Sequence, residues 1–543
     1  MRFLATLLIS LLAMNGGLSA AHASTPFTFS NLFTNHLVLQ RGMKDPVWGW
    51  AKPRQKITVS FAGHTVTATA NAHGNWMAKL PAMHFSAAPR SLTITSGAQT
   101  LVVHDVLVGD VWLCSGQSNM QYPMAGWFGR TNLSAALAKG THANIRLYHV
   151  PMMESNFSGT PKRQAAAVWQ RCTPRNLAGF SAVGYFFGLT MHKALHVPIG
   201  LIESDWGGTN IEPWIPQQGF FAVPQLKTDQ AWLRAMAKRQ KNLNTLYLAS
   251  MTAWLSHAKQ ALAAGKPMPY PPRKPESAIS RPHAFNYQIP HGDWQPDAHQ
   301  NPTTLFNGMI HPLIPYAIRG VIWYQGENNV SSHDHLYYYH LKALIGSWRK
   351  LWKQGNFPFY IVQIAPFNYG RDGPMEPVIW QAEEKAARRI ANCGIASTMD
   401  IGNIHNIHPA NKQAVGRRLA AIALAKIFHS GKTCSGPVFK SADFDGNQVV
   451  IHFSSVGGGL LSRDGKPLNW FQLSSRNGTF VNASARIVGR TVVVQSPKIS
   501  APTAVRFAYS DLAVPNLMNI KRLCPRCLFR HVSRNVRGSS GTC

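Results

Sequence analysis

A short, mostly apolar run, Val106–Leu113, stops abruptly at Cys114-Ser115-Gly116. A short run of this kind, closed by a tight turn, predicts a strand buried on both faces. Similar runs recur at Ile199–Ile202, Gly320–Tyr324, Phe359–Ile364 and Ile395–Met399. Helical periodicity lies between them at Phe180–Leu195, Leu336–Trp352 and Val378–Ile390; in the first of these Val183, Phe186, Phe187 and Thr190 share a face. Strands alternating with helices predict an α/β unit, a parallel sheet flanked by helices, over residues 106–430. Before it the period is two: Ile57–Phe61 and Thr65–Ala68 alternate around Ala62-Gly63-His64, and Gly74-Asn75-Trp76 and Leu92-Thr93-Ile94 continue the style. Residues 24–105 are therefore expected to form an N-terminal β-sandwich. Strand-like runs return at Gln448–Phe453, Phe471–Leu473, Thr491–Val494 and Ala504–Phe507, predicting a C-terminal β-domain over residues 431–520.

The alternation is interrupted over residues 217–300. Trp232, Met236, Leu243, Leu246, Met251 and Trp254 form a helical stripe, with Gly265 as its stop, and an aperiodic Pro-, His- and aromatic-rich stretch follows. This insertion reads equally as one wall of a cleft and as a surface excursion. Residues 1–23 read as a signal peptide: Arg2, an apolar core from Phe3 to Met14, and a small-x-small cleavage site at Ala21-His22-Ala23. Export, to the periplasm or beyond, is the expectation, with no later membrane span. Residues 521–543 are basic, hold three of the seven cysteines and are expected to be a poorly ordered tail. Cys393 and Cys434 flank the last helix and are a candidate disulfide. Cys524 and Cys527 lack a second ligand pair, so they read as a local disulfide or free thiols rather than a zinc half-site.

Composition changes this picture little. A chain of 543 residues that is 45% hydrophobic and 10% aromatic has ample material for several cores. Its 54 Lys and Arg against 22 Asp and Glu give a net charge of +32, but the basic residues are spread out and no nucleic-acid motif accompanies them. The charge reads as a solvated surface, and nucleic acid is not an expected partner.

Four polar segments follow strand-like runs, and together they offer acyl-transfer chemistry. The first carries Ser118, which taken alone reads better as a helix cap. The second, Glu203–Thr209, has the pair Gly207 and Gly208, which can bring backbone N–H groups close to an oxyanion. The third, Tyr324–Asn329, offers amide side chains. The fourth, Asp400–Pro409, presents His405 and His408 ahead of a helix containing Val415, Leu419 and Ile422. A serine nucleophile needs such an imidazole as its general base.

Together these segments resemble the SGNH hydrolases, and within them the sialate O-acetylesterase family of carbohydrate esterases. The matching stretches are Val111–Met120 (VWLCSGQSNM), Trp206–Trp214 (WGGTNIEPW), Asn307–Asn329 (NGMIHPLIPYAIRGVIWYQGENN) and Ile407–Leu419 (IHPANKQAVGRRL). The resemblance implies an SGNH-hydrolase-like sheet with Ser118 as nucleophile and His408, in its Ile-His-Pro context, as base. It also implies an oxyanion hole made of the Ser118 N–H, Gly207 or Gly208, and Asn329. Gln325 and Glu327 would shape the site, Glu327 in a structural role as readily as a catalytic one, and no metal or cofactor is implied. One departure stands out. Where relatives commonly carry an acidic residue two positions before the histidine, this chain has Asn406; Asp400 could stand in, or a dyad could suffice. The implied activity is removal of O-acetyl groups from a carbohydrate, either sialic acid or acetylated xylan and similar plant glycans. A non-catalytic glycan-binding protein is the rival, opposed by the intact set Ser118, Gly207, Asn329 and His408.

Overall fold

A computed structural model describes residues 27–127, 133–155, 167–272, 298–370, 375–431, 434–476, 478–521 and 529–532. The expected signal peptide, most of the aperiodic stretch before residue 298, and Cys524 and Cys527 lie outside these residues.

The N-terminal strands form two sheets. β1 (Thr28–Phe29), β3 (Asp45–Trp50) and β6 (Asn75–Leu80) make one. β4 (Lys56–Phe61), β5 (His64–Thr69) and β7 (Ser86–Ser96) belong to the other, which continues into β8 (Gln99–Gly116). β2 (Val38–Gln40) runs parallel to the middle of β8. The boundary expected between residues 105 and 106 therefore needs correction, because it falls inside an 18-residue strand. The first part of β8 pairs antiparallel with β7, and its last residues form the centre of a parallel sheet. At the junction sits Asp110, buried and bonded by Arg41 (Nη2–Oδ2, 2.7 Å) and Arg319 (Nε–Oδ1, 3.0 Å). Burial alone would raise this carboxyl; the two guanidinium groups outweigh it and hold it below its usual range.

Past β8 the chain forms β9 (His142–His149), β10 (Trp169–Cys172), α2 (Ala182–Leu195) and β11 (Ile199–Asp205), α1 being the single turn Ser118–Gln121. Then come α3 (Lys227–Ala263), β12 (Gly320–Tyr324), α4 (Glu327–Ser331), α5 (Tyr337–Trp352), β13 (Phe359–Val362), α6 (Glu376–Arg389), β14 (Cys393–Ala396) and α7 (Lys412–Ile427). Spatial order in the sheet is β10-β9-β11-β8-β12-β13-β14, parallel except for β10. Hydrophobic runs without alternation make both faces apolar, so helices must cover both. On one face α2 and α7 cross where Gly416 lets the backbones meet: a Cβ there would lie 2.7 Å from the Phe187 nitrogen and 2.8 Å from the Val183 carbonyl oxygen. Trp112 fills the core beneath them, 4.8 Å from the Phe187 ring.

Three further expectations need amendment. The apolar stripe of the insertion is one 37-residue helix, α3, but it is unevenly covered: Leu233 is fully buried, whereas Leu246 is 64% exposed. Cys393 and Cys434 are free thiols; burial of Cys393 in the sheet pushes its thiol up to about 11. The C-terminal strands form three small sheets, and one of them gains a fourth strand from the expected tail, where Phe529–Val532 pairs with Ala504–Phe507. An unpaired edge at Ala504–Phe507 would otherwise expose its backbone groups.

Two glycine substitutions separate packing from propensity. Gly416→Ala is expected to destabilise by about 1–3 kcal/mol, because the crossing helices must part. Gly346→Ala, in α5 with nothing within 4 Å of the added Cβ, is expected to stabilise by about 0.5–1 kcal/mol. Urea denaturation of the two variants beside the parent measures both.

Candidate active site

Gly116 is the last residue of β8, and its register partners are Asp205, which ends β11, and Tyr324, which ends β12. Three parallel strands thus finish level, and the turns leaving them open into one crevice, where open α/β sheets place their chemistry. Ser118 follows from β8 at the first position of α1, where its own N–H has no intrahelical acceptor. Trp206-Gly207-Gly208 follows from β11, and Gln325-Gly326-Glu327 from β12. His408 comes from farther away, on the loop between β14 and α7. The structure brings it to Ser118: His408 Nε2 lies 3.0 Å from Ser118 Oγ. The indole of Trp127 meets the imidazole edge-on, with centroids 4.5 Å apart.

Gly207 packs directly on the serine. A Cβ at this position would lie 3.3 Å from Ser118 Cβ, so a side chain would crowd that serine. Its N–H donates to Gln121 Oε1 at 2.9 Å. Gly208 is exposed, at a φ of +70°, and its carbonyl accepts from Gln300 Nε2 at 2.6 Å. The far end of the insertion therefore borders the crevice, and His299 stacks on Trp206 with centroids 4.7 Å apart and planes 8° apart.

Asn329 is placed differently from its expected oxyanion role. It is fully buried; Oδ1 accepts from the Ile211 N–H at 3.0 Å and from Gln325 Nε2 at 2.6 Å. Nδ2 donates to Glu212 Oε2 and Asp334 Oδ2, both at 3.1 Å. Both donors and both acceptor positions of the amide are engaged. Gln325 is equally committed, bonding Gln117, Thr209 and Asn329 and accepting from Tyr337 at 2.8 Å. Both residues brace the turn rather than face the serine.

The two candidate supports of His408 are also engaged elsewhere. Asn406 Oδ1 accepts from the backbone N–H of His408 at 2.9 Å, an Asx-type turn that leaves the ring untouched. Asp400 is neutralised by Arg418, with Nη1–Oδ1 at 2.7 Å and Nη2–Oδ2 at 2.6 Å. Among the described residues Nδ1 of His408 has no hydrogen-bond partner. Burial, reinforced by the Lys412 ammonium, pushes the imidazole down to about 4. It is thus the neutral, proton-accepting form at ordinary pH.

Residues not singled out by sequence complete the surroundings. Gln117 Oε1 accepts from Gly326 N at 3.2 Å and Asn328 N at 3.3 Å, tying the first turn to the third. Asn119 Nδ2 donates to Glu327 Oε1 at 2.5 Å and to the Ile407 carbonyl at 2.9 Å. Lys412 Nζ donates to Asn119 Oδ1. The only signal for these in the chain is their position inside the matching motifs.

Among the described residues one His–carboxylate cluster has ligand-like spacing: Glu212, Asp334 and His340, all buried. Both imidazole nitrogens of His340 already face carboxylates, Nδ1 with Asp334 at 2.8 Å and Nε2 with Asp229 at 3.2 Å. Burial opposes its charge, but Asp334 and Asp229 outweigh burial and raise it well above the usual histidine range. An imidazolium occupies the place a cation would take. A groove of about 650 Å³ lies elsewhere, along α2 and α7, and is lined by residues including Lys139, Tyr185, Lys193 and Arg417.

Comparison with known proteins gives concordant results. A family profile described as carbohydrate esterase, sialic acid-specific acetylesterase matches residues 291–425. Sialate O-acetylesterase of Mus musculus is 27% identical over 469 residues, covering 80% of this chain and 79% of that one. The Homo sapiens sialate O-acetylesterase is 28% identical over 453 residues, covering 77% and 74%. A solved structure described as a novel carbohydrate acetylesterase from Xanthomonas citri is 32% identical, covers 93% of this chain and 99% of that one, and superposes with a TM-score of 0.75.

The pairing of Asp400 predicts a structural phenotype. Asp400→Asn leaves Arg418 without its carboxylate and is expected to cost about 3 kcal/mol in urea denaturation. Labelling of Ser118 by a fluorophosphonate, per folded molecule, is expected to stay within about twofold of the parent, since both carboxylate oxygens of Asp400 are held by Arg418. A labelling loss above tenfold with unchanged stability would return Asp400 to the catalytic set.

Proposed function

We propose that this carboxylic ester hydrolase, which belongs to the sialate O-acetylesterase family of carbohydrate esterases, is an exported serine esterase that removes O-acetyl groups from sugar hydroxyls by Ser–His acyl transfer. The observation that carries the mechanism is the 3.0 Å contact of His408 Nε2 with Ser118 Oγ at the mouth of the parallel sheet.

Ser118 Oγ attacks the acetyl carbonyl as His408 Nε2 takes its proton. Negative charge then develops on the carbonyl oxygen, and the N–H groups of Ser118 and Gly207 are the donors proposed to meet it. Because Gln121 holds the Gly207 N–H, substrate entry has to displace that amide. His408 next returns the proton to the departing sugar oxygen, which leaves acetyl-Ser118. Water, deprotonated by the same imidazole, releases acetate and restores the serine. With Asp400 and Asn406 engaged elsewhere, the unit is a dyad. The N-terminal targeting pattern supports export. The names of the relatives favour O-acetylated sialic acid as substrate, with acetylated xylan as the alternative glycan.

Ser118→Ala is expected to lower kcat on an aryl acetate by at least about 10³-fold while leaving the fold intact. A rate within a few-fold of the parent would remove Ser118 from the nucleophile role. In the parent, kcat/KM is expected to stay flat from neutral pH downwards and to fall with a midpoint near the His408 value of about 4. The base works only when unprotonated, so activity is lost as pH drops through that value. A midpoint near that of an ordinary histidine would contradict the dry, cationic surroundings assigned to the ring. Acetate release across O-acetylated sialic acids and acetylated xylo-oligosaccharides identifies the glycan, and release from none of them would overturn the reading.

A further inference from the structure

We propose that Lys412 is a positioning residue for the Ser118–His408 pair, acting through Asn119. The inference rests on the esterase reading above and extends it to a residue outside the dyad.

Asn119 follows the nucleophile directly, and Ile407 precedes the base. Their contact, Asn119 Nδ2 to the Ile407 carbonyl at 2.9 Å, joins the two loops one residue away from the Ser118–His408 contact itself. The orientation of this amide decides whether the bond exists, because a flipped amide would set oxygen against oxygen. Lys412 sets that orientation. Its ammonium has only donors, and it meets Asn119 Oδ1. On the other edge Glu327 Oε1 accepts from Nδ2 at 2.5 Å. With a donor on one side and an acceptor on the other, the amide has one arrangement.

Placing a lysine here is costly. Lys412 is fully buried, and burial depresses its ammonium to about 7 although Glu327 opposes the shift. Its Nζ sits 5.0 Å from the Tyr122 ring centroid and 5.5 Å from that of Tyr324, which recover part of the cost as cation–π contacts. An unbranched apolar residue would fill the space with less penalty. The residue therefore serves the arrangement of the site more than the stability of the fold. Its charge also acts on the base, since it opposes formation of the His408 imidazolium. The titratable groups around it are Glu327 of α4, Tyr324 of β12, Tyr122 beyond α1 and His408 itself, with Glu376 and Glu383 of α6 behind Glu327.

Lys412→Met tests both roles. The variant is expected to keep its fold and to lose about 10–100-fold in kcat with KM within about threefold, the signature of misplaced reacting groups. Removal of the positive charge is expected to move the His408 titration to higher pH, read directly by NMR of the labelled imidazole. Lys412→Arg, which keeps the charge, is expected to leave that titration in place. Asn119→Asp, which removes the amide donors facing Glu327 and Ile407, is expected to lower kcat similarly; it serves as the readout if Lys412→Met does not fold. An imidazole titration unmoved in Lys412→Met, or kcat unchanged in either Lys412→Met or Asn119→Asp, overturns the inference. The NMR titration needs no turnover, so it decides the role of Lys412 even if the parent hydrolyses no acetyl ester, which would refute only the esterase reading.

Discussion

The crevice depends on the close approach of two backbones at Gly116. The residue has φ +145°, and a Cβ on it would lie 2.1 Å from the Tyr324 carbonyl oxygen, inside any van der Waals limit. Only glycine lets β8 and β12 finish level there, with Gln117 N donating to that same carbonyl at 2.9 Å. Because β11 pairs in the same register, the turns that carry Ser118, Gly207 and Glu327 leave the sheet at one height. Backbone hydrogen bonding across β11, β8 and β12 thus fixes the relative positions of three of the four segments before any of their side chains interact.

His408 is the exception, and its placement costs more. It arrives on a loop from edge strand β14 and is held by the Asx turn of Asn406, the edge of Trp127 and the link from Ile407 to Asn119. None of these supplies negative charge to the ring, while burial and Lys412 both disfavour imidazolium. In the proposed Ser118–His408 mechanism two effects then compete in the transition state. A low pKa keeps the base unprotonated in acid, but a weaker base takes the serine proton with less driving force. On that proposal the site gives up driving force and gains a wide acidic working range, the opposite balance to a triad with a buried carboxylate on Nδ1.

What can be read from the chain follows the same division. Ser118, Gly207 and His408 are legible because each stands at an abrupt break between an apolar run and a turn, or just ahead of a helix. Asn329 departs from its expected place because Asn328 and Asn329 are neighbours in α4, where successive residues point about 100° apart. Motif matching does not say which of the two faces the crevice; the helix turns Asn329 inward and leaves Asn328 half-buried. Asp400 is opaque to sequence reasoning because its partner, Arg418, lies on α7, and spacing within a loop carries no information about such a contact. The junction between the N-terminal sheets and the parallel sheet is hidden for a simpler reason: β8 carries apolar residues on both sides of it, and Gly109-Asp110, where pairing changes from antiparallel to parallel, does not interrupt the strand.

Asn119 and Asn329 show why amides recur behind this crevice. Each is fully buried beside ionisable groups, Asn119 between Lys412 and Glu327, Asn329 between Glu212 and Asp334. A carboxylate at either position would bring like charges together in a dry interior, and an apolar residue would leave buried charges unpaired. An amide offers donors to the acids and an acceptor to Lys412 or to a backbone N–H while adding no charge. Its two ends differ, so the surrounding charges also determine which way it points. On the proposed role of Lys412, orientation of the Ser118 and His408 loops then follows from the placement of charges around Asn119. This explains how a site without a carboxylate on its histidine keeps that histidine at 3.0 Å from the serine.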